Sequence, residues 1–137
     1  MINIIYGPKG FGKTKIIIDR ANEISKKAKG TTAFVTDNST YNFNIVREVR
    51  MINTKDFKIE NACQLTGFLC GMLAKDHDLE YIFLDGAARI SGMALAEMKP
   101  FYEKLEFLSK TFGTNFVLTV SAAKEDIPKF ILKYAKV

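Results

Sequence analysis

Gly7-Pro8-Lys9-Gly10-Phe11-Gly12-Lys13-Thr14 sets one glycine, four intervening residues and then Gly-Lys-Thr, a spacing suited to holding phosphate. Phosphate oxygens need donors from several directions, and Gly7, Gly10 and Gly12 let the backbone curl until successive N–H groups point inward. The loop then forms a nest for anions. Lys13 would place a point charge on the outer phosphates, and Thr14 would offer its hydroxyl to Mg²⁺. A helix beginning there would aim its positive end at the same place. The chemistry implied is binding of a nucleoside triphosphate. ATP is taken over GTP as the commoner ligand, since no Asn-Lys-x-Asp guanine-reading stretch occurs.

A second stretch complements the first. Glu80-Tyr81-Ile82-Phe83-Leu84-Asp85-Gly86 is an apolar run ending in a carboxylate. Such a strand is buried on both faces, and its last side chain emerges at the carboxyl edge of the sheet, where ligands of open α/β sheets bind. Asp85 should therefore face the Mg²⁺ region. Arg89, four residues on, reads first as a surface arginine, with a charge supplied to the same site as the alternative. Lys124 carries the same two readings.

These groups need elements that bring strand ends and a helix start together. Met1-Ile2-Asn3-Ile4-Ile5-Tyr6 is a short apolar run directly before Gly7, and from Lys13 a helical pattern of Ile16, Ile17, Ala21, Ile24 and Ala28 runs to Gly30, read as its C′ stop. Strand, glycine loop and helix follow in the order a phosphate-binding loop requires. Thr31-Thr32-Ala33-Phe34-Val35-Thr36-Asp37 is a second strand, and with one helix between them the two strands should be parallel. Asn38-Ser39-Thr40 reads as loop, and the rest of 38–60 shows no clean period, so a short helix and an edge strand both fit. Asn61 is expected to cap a helix to about Lys75, with Leu65, Phe68, Leu69, Met72 and Leu73 on its apolar side and Gly67 and Gly71 permitting close packing. Pro100 should open a helix carrying Phe101, Leu105, Leu108 and Phe112 along one face, closed by Gly113. Asn115 to Ser121 is another strand, and Asp126-Ile127-Pro128 should cap and start a short terminal helix through Phe130, Ile131 and Tyr134.

Gly7 to Thr14 together with Tyr81 to Asp85 resemble the Walker A and Walker B motifs of the P-loop NTPase superfamily, and the order of elements resembles its RecA-like branch more than its nucleotide-kinase branch. The resemblance implies a three-layer α/β/α sandwich with a mostly parallel sheet of about five strands, residues 1–137 forming a single nucleotide-binding domain. It implies that Gly7, Pro8, Lys9, Gly10, Phe11, Gly12, Lys13 and Thr14 hold the phosphates, that Thr14 and Asp85 hold Mg²⁺, and that Lys13 and Asp85 belong to the catalytic set. It further implies a strand lying between the Walker A and Walker B strands and ending in a polar sensor, a place that Thr119 and Ser121 match. Members of the branch carry a water-polarising glutamate after the Walker B aspartate or at the end of the second strand. Here Gly86 takes the first place, and Asp37, itself also readable as part of an Asp-Asn turn, is the candidate for the second.

Composition bounds the rest. The chain has 137 residues, 47% hydrophobic and 26% charged, enough for one core and without a disorder signature. The first strand begins at once, so no signal peptide is expected, and no apolar run approaches the roughly 18 residues of a membrane span. A soluble cytoplasmic protein is expected. Cys63 and Cys70 lie about two helical turns apart, too far for a disulfide, and are expected to be buried in the core. His77, in a polar turn, reads as a surface residue. The net charge of +5 raises a nucleic-acid partner, but the densest group, Ser25-Lys26-Lys27-Ala28-Lys29, closes a helix where cations complement the dipole. The leading function is a Mg²⁺-dependent ATPase or an ATP-controlled switch read by a partner protein or a second copy. Alternatives are an ATP-holding module with little hydrolysis of its own, a nucleic-acid-associated or motor-type RecA-like ATPase, and a small-molecule or nucleotide kinase. The kinase is disfavoured by the lack of an arginine-bearing lid stretch.

Overall fold

Each apolar run expected to be a strand is one, and all run in the same direction. The computed structural model describes residues 1–38, 40 and 44–135. Its strands are β1 (Ile2–Gly7), β2 (Thr31–Thr36), β3 (Val49–Asn53), β4 (Leu79–Asp85) and β5 (Asn115–Ser121), in the spatial order β1-β5-β4-β2-β3. Every pairing is parallel. The helices are α1 (Lys13–Lys27), α2 (Ala62–Lys75), α3 (Ala87–Ser91), α4 (Lys99–Phe112) and α5 (Lys129–Leu132). No helix among the described residues is long and apolar enough to cross a membrane.

The side-chain alternation of the strands divides the core in two. Ile5, Phe34, Phe83 and Val117 face Ile17, Ile18 and Ala21 of α1. Their neighbours Ile4, Val35, Ile82, Leu84, Phe116 and Leu118 face the other way, onto Leu65, Leu69 and Leu73 of α2 and Phe101, Leu105 and Leu108 of α4. The result is a three-layer sandwich. Burial of one such side chain contributes about 1.5–3 kcal/mol, which makes both layers necessary to a chain of this length.

The parallel arrangement aligns all five carboxyl ends at one edge. Gly7 lies opposite Ser121, while Thr36 lies opposite both Asp85 and Asn53. β1 and β2 are parallel as expected, but β5 and β4 sit between them. Of the open stretch 38–60, residues Val49–Asn53 form the edge strand β3 and Thr54–Phe57 a 3₁₀ turn. Of the loop expected at Asn38-Ser39-Thr40, Ser39 lies outside the described residues.

Several packing expectations need correction. Cys63 is exposed and Cys70 half-buried. The buried stripe of α2 is Leu65, Leu69 and Leu73, and Cys63 points about 200° away from Leu65 around the helix. Gly67 and Gly71 do not serve close packing, because a Cβ at either meets nothing within 4 Å among the described residues. In α1 the buried positions are Lys13, Ile17, Ile18 and Ala21, with Ile16 exposed. In α4 the stripe ends on Leu108 and Ser109, leaving Phe112 exposed.

Gly30 is not a C′ stop, since α1 ends at Lys27 with Ala28 as its cap. Its role is close approach: a Cβ on Gly30 would lie 2.1 Å from the Asp78 carbonyl oxygen. Asp126 belongs to a 3₁₀ turn, and no side chain caps α5. The cap of α2 is as read, with Asn61 Oδ1 accepting from the Gln64 N–H at 2.8 Å.

Candidate functional site

Between β1 and α1 the chain turns through two left-handed residues, Gly10 at φ 87° and Gly12 at φ 76°. Any other L-residue would be strained at either. The Phe11 N–H donates to the Pro8 carbonyl at 3.2 Å, and the helical ladder opens with Ile16 N–H donating to Gly12 at 3.2 Å. The N–H groups of the first turn, Lys13 to Lys15, precede that ladder and have no acceptor within the helix. Lys13 is buried, and its Nζ donates to the Pro8 carbonyl at 2.9 Å, spanning the loop from below. Burial pushes its ammonium down from the usual lysine range; the Asp85 carboxylate opposes this, and the Arg89 charge adds to it.

Asp85 is only 4% exposed. The strand register flanks it with two hydroxyls. The Thr119 hydroxyl donates to Asp85 Oδ1 at 2.9 Å and accepts from the Gly86 N–H at 2.9 Å. On the other side the Thr36 hydroxyl makes a long contact of 3.5 Å with Oδ2 and accepts from the Asn38 N–H at 3.3 Å. Across β2, β4 and β5, Thr36, Asp85 and Thr119 thus form a hydroxyl, carboxylate, hydroxyl row. Thr119, expected as a sensor, is buried and faces Asp85, whereas Ser121 is exposed beside Gly7.

A second cluster closes over this row. Gly86 adopts φ 86° and starts α3, whose Arg89 folds back across it. Arg89 Nε donates to Asp37 Oδ2 at 2.9 Å, and Nη2 donates to Oδ1 at 2.7 Å. A longer contact of 3.4 Å runs from Nη2 to the Asp85 carbonyl. The Arg89 hydrogen bond and charge, against some desolvation and with help from Lys55, hold the Asp37 carboxyl below its usual range. A Cβ on Gly86 would fall 2.2 Å from Arg89 Nη2. The backbone angle favours glycine at this position, and any Cβ there would displace the flexible guanidinium that lies on it.

Thr14, Asp37, Asn38, Asn53, Lys55, Asp85 and Arg89 line one cleft of about 480 Å³. An adjoining cleft of about 370 Å³ is lined by residues including Lys9, Gly86, Arg89, Thr119 and Ser121. Arg89 borders both. The residues singled out from sequence are thus gathered at the carboxyl edge, the glycine loop with Lys13 and Thr14 on one side and Asp37 and Asp85 on the other. Lys124 is exposed and outside both linings, and exposed His77 precedes β4 at the opposite edge. Thr36, Asn53 and Lys55 were not foreseen. The one signal for Thr36 was a hydroxyl immediately before Asp37 at a strand end.

The placement of β5 between the Walker A-like β1 and the Walker B-like β4 is the strand order that distinguishes the RecA-like arrangement. Solved structures share the fold. It is similar to the crystal structure of flagellar accessory protein FlaH from Methanocaldococcus jannaschii, with a TM-score of 0.60 over 96% of this chain at 14% sequence identity. This chain spans 65% of the length of that FlaH chain. No protein-family model matches the sequence, and no curated protein matches it. The likeness to FlaH is one of fold.

Proposed function

We propose that this chain is a Mg²⁺-dependent ATP-binding P-loop protein, residues 1–137 acting as one nucleotide-binding domain, and that it serves as a switch with slow intrinsic hydrolysis. The observation that carries the reading is the convergence of a left-handed glycine loop, a buried lysine and the Thr14 and Asp85 oxygens on one edge of a parallel sheet.

The donor set suits the ligand. The loop and the first turn of α1 offer backbone N–H groups to phosphate, and Lys13 can exchange the Pro8 carbonyl for a phosphate oxygen. Thr14 and Asp85 provide hard oxygen ligands in one cleft, as Mg²⁺ requires, and the ion would neutralise phosphate charge there. The Thr119 hydrogen bond orients the Asp85 carboxylate, with Thr36 in long contact on its other oxygen.

Slow hydrolysis is favoured by a specific observation. Gly86 leaves no carboxylate beside Asp85, and Asp37 is engaged by Arg89 and held acidic. Such a carboxylate can orient water by accepting a hydrogen bond but is a weak proton acceptor. Turnover would rise when a partner or second copy rearranges this pair.

Calorimetric titration with Mg-ATP, with phosphate release measured on the same samples, tests the reading. The wild type should bind, and Lys13→Ala should bind roughly 10- to 100-fold more weakly, the loss of one charge-assisted contact. Failure of the folded wild type to bind either Mg-ATP or Mg-GTP would overturn the proposal.

A further inference from the structure

Arg89 occupies an unusual station. Its guanidinium lies on the bare backbone of Gly86, where no Cβ intervenes, and it borders both clefts at the carboxyl edge together with a third lined by Thr54, Lys55 and Ile90. Its fork is filled by a carboxylate, and a phosphate offers the same paired oxygens with greater charge. The two partners are unequally fixed: the Arg89 side chain is 54% exposed and that of Asp37 17%. The arginine is the member able to move. Asp37 would not be left without a counter-charge, because Lys55 lines the same cleft and already acts on it electrostatically.

We propose that Arg89 is the residue by which this site distinguishes a nucleoside triphosphate from a diphosphate, its guanidinium passing from Asp37 to the terminal phosphate. The inference rests on the nucleotide-binding reading above and assigns a specificity role within that site. In the diphosphate state the Asp37 clamp persists and holds the end of β2 to α3. In the triphosphate state the clamp opens and frees the 37–38 turn, and a partner can read the difference.

The test measures Mg-ADP and the Mg complex of the non-hydrolysable β,γ-imido analogue of ATP by calorimetry. The proteins are wild type, Arg89→Ala, Arg89→Lys, Asp37→Asn and the Arg89→Ala/Asp37→Asn double variant, with a thermal melt to show each folded. The wild type should favour the triphosphate by at least about tenfold, as a charge-assisted bidentate contact allows. Arg89→Ala should bring that ratio close to one, Arg89→Lys should lower it partly, and Asp37→Asn should raise it. The double variant decides between two roles. A low ratio there means that Arg89 reads the phosphate, whereas a restored ratio means that Arg89 merely screens Asp37 and overturns the proposal. An unchanged ratio in Arg89→Ala overturns it as well. If Arg89→Ala does not fold, Arg89→Lys and Asp37→Asn must still move the ratio in opposite directions, and movement in the same direction is decisive against it. Binding of both nucleotides with no preference in the wild type sinks this inference alone. Binding of neither sinks the nucleotide reading with it.

Discussion

Asp85 illustrates how a single side chain depends on its neighbours across the sheet. Its carboxylate takes a 2.9 Å hydrogen bond from Thr119, whose oxygen also receives the Gly86 N–H. Replacing Thr119 by valine keeps the shape but removes the partner of that half-buried amide and of one buried carboxylate oxygen. Each such loss costs about 1–3 kcal/mol, so Thr119→Val should lower the urea midpoint measurably without changing the m-value. It should also weaken Mg²⁺-dependent nucleotide binding by letting Asp85 rotate. A Thr119→Ser variant, which retains the hydroxyl, should recover most of both losses. Thr119 was legible in the sequence as a polar strand end. That it serves Asp85, with Thr36 on the other side, was not, because the row exists only once β2, β4 and β5 are in register.

Two glycine positions separate what an element wants from what its neighbour demands. Gly67 lies inside α2, and among the described residues nothing beyond the helix comes within 4 Å of a prospective Cβ. Gly67→Ala should therefore stabilise the protein by about 1 kcal/mol through helix propensity alone. Gly30 lies outside any helix, yet its Cβ would meet the Asp78 backbone oxygen at 2.1 Å, and its N–H donates to Glu80 Oε1. Gly30→Ala should cost about 1–3 kcal/mol, the range of an overpacked contact, because a backbone atom cannot step aside. Denaturant melts of the two variants, read against wild type, check both signs. A stabilising Gly30→Ala would show that α1 and β4 are less firmly joined than the structure has them.

For the whole molecule, the dependence of stability on pH should carry two signatures. The Tyr134 hydroxyl is pushed up to about 12, mainly by burial, with its hydrogen bond to Glu106 and the charges of Glu106 and Glu103 adding to this. A raised folded value means stability present below the unfolded value of 10.0 and lost as pH rises through about 12. Buried Tyr102, also raised, acts in the same sense, so Tyr134→Phe should flatten this alkaline limb in part. The Asp37 carboxyl, lowered chiefly by Arg89, works oppositely: its contribution is present above the unfolded value of 3.8 and lost as pH falls through the lower folded value. Asp37→Asn should remove that part of the acid limb. Thermal melts across pH 2–12 on the three proteins read both; parallel curves for Asp37→Asn and wild type in acid would mean the Arg89 pair adds nothing to stability.

The sequence by itself determined what is local. The glycine loop, the lysine at the helix start, the apolar strands and the Asn61 cap all follow from φ restrictions, short-range hydrogen bonds and hydrophobic period, which act within a few residues. What only the tertiary structure decided is long-range. Arg89 and Asp37 are 52 positions apart, and nothing in the spacing of either signalled that one would clamp the other across a bare glycine. The orientation of α2, which left Cys63 in solvent and Gly67 unpacked, was likewise set by which of several apolar stripes met the sheet. Strand order and register fix those pairings, and they are properties of how distant segments pack, written in no single stretch of the chain.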